Sequence, residues 1–446
     1  MPRRVIQVEE RVPLLQALPL SLQHLFAMFG ASVLVPFLFN QAARQAAGDP
    51  SLVVVDPALV LLMNGVGTLI YLVLCKGRAP AFLGSSFAFI APATAILAAP
   101  TGDVAGNFSR ALGGFVVAGL VFTVAAGIIR VAGTRWLEVV LPPAAMGPIV
   151  ALIGLELGKV AAGMAGLLPD ARGNLDPASV AISLSTLGLA VFGSLLFRGF
   201  LAVIPILVAV LGGYGLALAL GRVDLAALAG EHLFSFPRLA FPSFDRAAIL
   251  VTAPAALVVL SEHLGHLLVT GNIVGRDLAR DPGLHRSLAG DGISTILSGF
   301  MGSVPTTTYG ENMGVMALTR VYSVWVIGGA AVLSILISFI QVLSNLLSTI
   351  PVPVMGGISL LLFGVIAASG IRMLIEARVD YNRARNLILT ALVFMVGLSE
   401  VSFRVGQVSL KGMVLATLVG MALSLAFHGL EVLGLLEEDP STGHGG

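Results

Sequence analysis

Fourteen apolar runs, bounded by charged residues or by clusters of Pro and Gly, divide the sequence almost from end to end. A bilayer crossing needs about 20 mostly apolar residues, so these runs predict spanning helices with short connections. Only 11% of the residues are charged, less than half of the roughly 25% typical of soluble domains. The sequence therefore predicts an all-α, multi-pass membrane protein without a sizeable soluble domain. The predicted spans are 14–39, 57–75, 85–98, 110–129, 142–163, 177–197, 200–220, 247–271, 284–300, 307–319, 323–346, 352–371, 384–399 and 412–430.

The runs fall into two halves of seven. If the halves are related, an odd number of spans in each gives them opposite orientations, as in inverted-repeat transporters. The third run begins near Gly84-Ser85-Ser86-Phe87, the tenth near Gly302-Ser303-Val304-Pro305, and both are short. Ser, Thr and aromatic residues beside Gly and Pro favour extended backbone, which at membrane depth occurs only where it lines a protein-enclosed cavity. Such paired interruptions predict a substrate site at the midplane. The alternative is a pair of ordinary kinked helices.

The positive charges predict the orientation of the chain. With the N-terminus inside, about twice as many Lys and Arg residues fall on the inner as on the outer side, which places both termini in the cytoplasm. The N-terminus has no apolar run before a cleavage site and is interpreted as a retained cytoplasmic segment. The single Cys75 excludes an intrachain disulfide and a cysteine-based zinc cage, and a net charge of +1 gives no reason to propose nucleic acid as a partner.

Few ionisable side chains lie inside the runs, and a charged one at bilayer depth costs roughly 3 kcal/mol, so each needs a partner or a function. The eighth run contains Glu262 and His266, which a spacing of four places on one helix face. A carboxyl and an imidazole in a low-dielectric cavity suit proton loading and release. The alternative is a pair kept for packing or for bonds between helices.

Glu311 directly follows the interrupted stretch of the tenth run. A carboxyl beside the N–H groups of a helix start can hold a small planar molecule that has alternating donors and acceptors. The alternative is a glutamate that only caps the helix.

At these residues the chain closely resembles the nucleobase–ascorbate transporter family, also called nucleobase–cation symporter family 2, and within it the bacterial uracil permeases. The family signature is an acidic residue, Gln or Pro before Asn-x-Gly, with a Thr-Arg downstream. Glu311-Asn312-Met313-Gly314 and Thr319-Arg320 match it, and Gln23-His24 matches the family's Gln-His pair. Further similar stretches are Ser21–Pro36, Leu83–Ile90, Ser261–Arg286, Tyr309–Ser323 and Pro353–Arg372.

The resemblance implies a fold of 14 transmembrane spans in two inverted seven-span repeats, with short antiparallel strands in the third and tenth spans. A core domain would comprise 1–131 and 241–346. A gate domain would comprise 132–240 and 347–446, the latter including a cytoplasmic tail. The resemblance also implies a homodimer through the gate domain, elevator-type movement of the core, and a location in the bacterial inner membrane.

Residue by residue, the resemblance implies that Glu262 and Glu311 bind the base and that His266, with Glu262, couples the proton. Main-chain groups of Phe87 and Gly310 would complete the base's polar edges, and Ala31 and Tyr309 would line the pocket. One departure is Phe363, where the uracil permeases often have Tyr.

The function implied is proton-coupled uracil import, with the proton as coupling ion and no cofactor or metal. Alternatives are a carrier of the same fold for xanthine, urate or another nucleobase, and an uncoupled facilitator. A membrane-embedded enzyme is disfavoured because the runs contain no His-Glu-x-x-His or Asp-Asp-x-x-Asp motif.

Overall fold

The structure, a computed structural model, describes residues 5–169, 173–223, 234–399, 401–405 and 408–435. This part of the chain is mostly helical. The helices are α1 (Leu14–Ala47), α2 (Pro57–Leu74), α3 (Ile90–Leu97), α4 (Val104–Ala132), α5 (Arg135–Val140), α6 (Pro143–Met164), α7 (Pro177–Leu196), α8 (Pro205–Ala219), α9 (Arg246–Val274), α10 (Leu284–Met301), α11 (Gly310–Thr319), α12 (Val324–Ser338), α13 (Gln341–Ser348), α14 (Val352–Glu376), α15 (Ala384–Leu398) and α16 (Gly412–Val432). The strands are β1 (Leu83–Ser85), β2 (Thr306–Thr308), β3 (Ser402–Val405) and β4 (Val408–Lys411).

Eight described helices are long and apolar enough to cross a bilayer, namely α1, α2, α4, α6, α7, α9, α14 and α16. Shorter apolar helices cover Phe87–Leu97, Pro205–Ala219, Val324–Ser338 and Ala384–Leu398. The prediction of a multi-pass, mainly helical membrane protein is therefore confirmed. The expected cytoplasmic tail beyond residue 435 lies outside the described residues.

Aspartates fix where several of these helices begin. Asp56, Asp103, Asp176 and Asp245 each stand at an N-cap, where the side-chain carboxylate accepts a backbone N–H of the first turn. At α2 and α7 the next residue is Pro, whose fixed φ and missing N–H suit the first helical position. Local sequence thus sets these boundaries before any packing is considered.

The eleventh run, predicted as one span over 323–346, is divided into α12 and α13. The helix ends at Ser338, and Ile340 is extended and forms an antiparallel bridge with Phe234. Pairing with a distant segment therefore overrides the continuous apolar pattern, which would favour one uninterrupted helix.

The strands expected in the third and tenth spans are present as a buried antiparallel pair, with Leu83, Gly84 and Ser85 opposite Thr308, Thr307 and Thr306. Two threonine hydroxyls on neighbouring helices also accept hydrogen bonds from the strand pair. Thr68 Oγ1 accepts the Leu83 N–H at 2.9 Å, and Thr295 Oγ1 accepts the Thr306 N–H at 3.2 Å. Extended backbone thus persists among the spans because protein groups, and not lipid, surround it.

The helices pack in two groups. In one group α2 contacts α10 and α12, α4 contacts α9 and α10, and α1 contacts α3, α11 and α12. In the other, α6 contacts α14, α15 and α16, and α7 contacts α8 and α14. The groups meet where α9 touches α6 and α16 and where α1 touches α8 and α14. The strand pair belongs to the first group.

The N-terminal segment is tied to the second half of the chain. Ile6 forms a parallel bridge with Val321, and Val8 is fully buried. The carboxylate of Glu9 accepts two N–H bonds from Arg276, at 2.5 and 2.8 Å. The Arg276 guanidinium holds the pKa of Glu9 below its ordinary value. These contacts join the first residues to the loops after α9 and α11.

Candidate functional site

Helix α9 carries Glu262 and His266 one turn apart, as the spacing predicts. Glu262 Oε2 is buried and has no hydrogen-bond partner within the described part of the chain. A buried carboxyl oxygen without a partner is uncommon, because leaving it unpaired costs free energy. Glu262 therefore presents an acceptor that a ligand or a proton can satisfy.

His266 joins α9 to strand β2. Its Nδ1 lies 2.8 Å from the carbonyl oxygen of Thr308, which can only accept, so Nδ1 carries the hydrogen in this contact. The tautomer leaves Nε2 as an acceptor. A Cβ built on Gly310 would lie 3.7 Å from Nε2, so this nitrogen faces the start of α11. The imidazole can accept a proton there without losing its bond to the strand.

Gly310 and Glu311 open α11 directly after β2. The first N–H groups of a helix have no intrahelical partner, and no side chain caps this helix at Tyr309. The Glu311 carboxyl lies within electrostatic range of Glu262. Two carboxyls and a helix start thus share one region, an arrangement that fits both the binding and the capping interpretations of Glu311.

Phe87 occupies the matching place in the first half. It begins a 3₁₀ turn over Phe87–Phe89 that follows β1 and leads into α3, so its N–H group lies at a helix start. Its ring is buried and meets Phe363 of α14 edge to face, with centroids 5.8 Å apart. Phe363, where the chain departs from its expected relatives, therefore contacts Phe87, a predicted site residue.

Tyr309 lies across β1. Its N–H donates to the Phe82 carbonyl at 3.0 Å, and its hydroxyl donates to the Ser85 carbonyl at 3.1 Å. The ring passes over Gly84, where a Cβ would lie 2.2 Å from ring carbon Cε2, so only glycine fits. Tyr309 is buried, and its visible contacts serve to hold the strand pair together.

Ala31 is buried on α1, which packs against β1, α3 and α11. Its neighbour Ser32 accepts a hydrogen bond from the Asn64 amide of α2 at 3.2 Å. Helix α9 also packs against the 3₁₀ turn, β2 and α11. The predicted site residues therefore belong to elements that contact one another.

Several buried polar side-chain atoms on these elements have no partner among the described residues. Glu262 belongs to this group, which also includes the side-chain oxygens of Gln23, Ser85, Ser86, Thr307 and Asn312. Native proteins bury few such atoms, so a concentration on the strand pair and its neighbours indicates a place where a polar ligand binds. Within the described residues no cluster of three His, Cys, Asp or Glu side chains is suited to a metal ion.

The second member of the Gln-His pair, His24, joins two helices. His24 is buried, and the Asn312 amide donates to its Nδ1 at 3.1 Å and to its carbonyl at 3.4 Å. This bond links α1 to α11.

Sequence reasoning missed a buried chain of four polar residues. Asp291 Oδ2 lies 2.6 Å from His263 Nδ1, and His263 Nε2 lies 2.7 Å from Ser287 Oγ. Ser287 Oγ lies 2.9 Å from the Tyr71 hydroxyl. Asp291 stands inside the ninth apolar run, so the rule that a charge in a span needs a partner was the signal that would have found it.

Comparison with known proteins identifies the family. The sequence model of the permease family Xan_ur_permease matches residues 15–405. The chain belongs to this permease family. It is 57% identical to the uracil permease of Escherichia coli strain K12 over 433 residues, which cover 97% of the chain and 96% of that protein. It is 53% identical to the uracil permease of Paenibacillus larvae over 436 residues, covering 97% and 99%. The resemblance seen in the sequence motifs is confirmed.

A solved structure shares the fold. Murine solute carrier 26 family member A9, an anion transporter in the inward-facing state, is similar with a TM-score of 0.69. The match covers 95% of this chain and 69% of that one at 13% identity, so the likeness concerns the fold alone.

Proposed function

We propose that this protein is a proton-coupled uracil importer of a bacterial inner membrane. The observation that carries the proposal is near-full-length identity above 50% to proteins named uracil permease. The carboxyls of Glu262 and Glu311 and the two helix starts at Phe87 and Gly310 support it chemically. The protein acts as a transporter and not as an enzyme.

Uracil offers two ring N–H donors and two carbonyl acceptors. In the proposal Glu262 and Glu311 meet the donors, while the main-chain N–H groups of Phe87 and Gly310 meet the carbonyls. Ala31 and Tyr309 line the pocket. Phe363 has no hydroxyl to offer the base. Its ring packs edge to face against the Phe87 ring, so α14 reaches the site through this ring contact. We therefore expect selectivity to depend on the two carboxyls more than on α14.

Coupling is proposed to run through Glu262 and His266, with the proton as coupling ion and no cofactor. Protonation of Glu262 removes a buried negative charge and adds a donor, so proton and base enter the site together. His266 Nε2 is the adjacent acceptor, turned toward Gly310. Glu262 and His266 release the proton when the site opens to the cytoplasm.

The proposed architecture is 14 spans in two inverted repeats, with both termini cytoplasmic. The two helix groups support a core of 1–131 and 241–346 and a gate of 132–240 and 347–446. The core carries the strand pair and moves against the gate as an elevator, and two copies associate through their gates.

The decisive experiment is uptake of radiolabelled uracil into proteoliposomes under opposite pH gradients, with excess unlabelled xanthine, cytosine or thymine as competitors. Accumulation only when the outside is acid, blocked by unlabelled uracil and not by xanthine, supports the proposal. Uptake that merely equilibrates under either gradient would indicate a facilitator. Competition by xanthine at equal strength would indicate a different substrate range within the fold.

A further inference from the structure

The chain Asp291–His263–Ser287–Tyr71 lies outside the set of residues proposed to bind the base. All four side chains are buried, and consecutive members are 2.6, 2.7 and 2.9 Å apart. They come from three helices, since His263 is on α9, Asp291 and Ser287 are on α10, and Tyr71 is on α2. The four side chains thus form a continuous hydrogen-bonded path between these helices.

The path leads from the site toward one end of the helices. His263 adjoins Glu262 in sequence on α9, whereas Ser287 lies in the first turn of α10 and Tyr71 in the last turn of α2. In the proposed orientation, the end of α2 and the start of α10 face the cytoplasm. The chain therefore runs from the middle of α9 toward the inner face, and its last member, Tyr71, is still buried.

Two features join the path to the site. The carboxyls of Glu262 and Asp291 lie within electrostatic range, and each has one buried oxygen without a partner in the described part of the chain. In addition, His263, Tyr71, His266 and Tyr309 line one cavity of about 10 Å³. A cavity of about this size holds one water molecule. The site and the path are therefore adjacent.

A bond that only holds two helices together needs one donor and one acceptor. Here a carboxyl, an imidazole and two hydroxyls stand in line, and each can accept a proton on one side and release one on the other. The oxygen of Asp291 that faces no partner leaves the path open at the end nearer Glu262. These properties exceed what packing requires.

We propose that Asp291, His263, Ser287 and Tyr71 form a relay that carries the coupling proton between Glu262 and the membrane face where α2 ends. The inference rests on the proposed function. In the inward step His263 carries its hydrogen on Nε2, Glu262 gives its proton to Asp291, and Asp291 passes one to the free His263 Nδ1. His263 Nε2 gives its hydrogen to Ser287, Ser287 gives its own to Tyr71, and Tyr71 releases one to water that reaches it when the carrier opens inward. One proton enters, one leaves, and rotation of the groups resets the path.

The charges around the relay match this direction. On α9 the relay lies within electrostatic range of Glu262 and His266, and Glu262 is in turn within range of Glu311 of α11. At the far end Cys75 follows α2, and Arg286 of α10 donates to the Leu74 carbonyl at 3.3 Å. Of two further neighbouring helices, α4 carries Arg110 and Arg130 toward its ends, and α12 carries no charged side chain. Acidic groups thus stand at the entry and a fixed cation at the exit, where it disfavours retention of a proton.

The test uses the full-length protein in proteoliposomes with two readouts. Counterflow of radiolabelled uracil reports binding and translocation without net proton release. Uracil-dependent acidification of the lumen, followed with a trapped pH dye, reports the proton. Asp291→Asn keeps the shape and a hydrogen bond to His263, and Tyr71→Phe removes a single oxygen. Ser334→Ala is the matched control, because it removes a buried hydroxyl that bonds the Leu61 carbonyl of α2 at 2.7 Å.

We expect both relay variants to keep wild-type counterflow and to lose proton flux by about 100-fold, the lower end of what positioned proton donors and acceptors contribute. The control keeps both readouts. If either relay variant moves protons with uracil at the wild-type rate, the relay is wrong while the proposed function stands. If the unchanged protein moves uracil with no protons, the proposed coupling fails and the relay with it. A variant that loses counterflow would show a structural role and also overturn the relay.

Discussion

The two halves of the molecule build the same backbone device with different chemistry. In each, a short strand leads to a helix start, at Phe87 after β1 and at Gly310 after β2. In the first half, the strand and helix start carry neutral residues, with Ser85, Ser86 and aromatic rings. In the second half, the helix start carries Glu311, and α9, which belongs to the same half, adds Glu262 and His266. The geometry is thus paired, but the titratable groups are concentrated on one side.

This difference separates two tasks. A pair of opposed helix starts is enough to hold a flat polar ligand, because each supplies N–H groups. The proposed proton-driven cycle also needs groups that take up and release protons, and these lie on α9, α10 and α11, except for Tyr71 of α2 at the end of the proposed relay. In this proposal the first half supplies mainly shape and neutral contacts, and the second half supplies most of the response to protons. Substitutions on the two sides test this division.

The largest effect is expected for the second-half carboxyls. Glu311→Gln removes a charged hydrogen-bond partner, worth about 1.5–3 kcal/mol, or about ten- to hundredfold in Kd, and Glu262→Gln removes the carboxyl that is proposed to bind the proton together with the base. Ser86→Ala, in the first half, removes a neutral hydroxyl and should cost about 0.5–1.5 kcal/mol at most. Uracil binding to purified protein measures both. Equal losses on the two sides would contradict the division.

The next effect concerns shape in the first half. Gly84→Ala places a Cβ 2.2 Å from the Tyr309 ring and should destabilise the fold by about 1–3 kcal/mol, as overpacking does. Gly127→Ala on α4 is the control, since a Cβ there meets nothing within 4 Å. Thermal unfolding in detergent compares the two. A Gly84→Ala protein as stable as the control would show that the strand pair tolerates more than its geometry indicates.

A smaller effect is expected where the halves are bonded together. A double-mutant cycle with His24→Leu and Asn312→Leu should give a coupling free energy of unfolding of about 1 kcal/mol, the net value of one buried hydrogen bond. Thermal or denaturant unfolding of the four proteins provides it. Coupling near zero would mean that the 3.1 Å contact contributes nothing to the joining of α1 and α11.

Much of this fold follows from sequence because spanning segments obey a strong rule. The apolar runs, their Asp and Pro starts and the short third and tenth segments all reflect the cost of bare backbone in lipid. The division of the eleventh run at Ile340 was not predictable, because its cause is the distant Phe234.

The candidate site was predictable to a smaller extent. Spacing alone placed Glu262 and His266 on one face, whereas the tautomer of His266 depends on Thr308, which is 42 residues away. Likewise, Tyr309 was expected to line the pocket, but its hydroxyl donates to the carbonyl of Ser85 on a strand from the other half. Partners distant in sequence decide what these groups do, and no local pattern contains them.

The smallest effect is expected for the surface contact between the halves, Glu9 with Arg276. Because the folded state lowers the pKa of Glu9, the pair stabilises the fold above the ordinary carboxyl pKa, and this stability is lost as the pH falls through the lowered value. Both side chains are more than a third exposed, so screening limits the contribution to about 0.2–1 kcal/mol. Glu9→Gln should therefore lower the melting temperature slightly at neutral pH and not at strongly acid pH. Glu376→Gln, which breaks a pair within α14, is the control.

Uracil uptake per folded protein should be unchanged in both variants, because the division assigns coupling to charges inside the membrane. A change in the pH dependence of uptake with Glu9→Gln would extend the proton-responsive region to the surface and to the first residues of the chain.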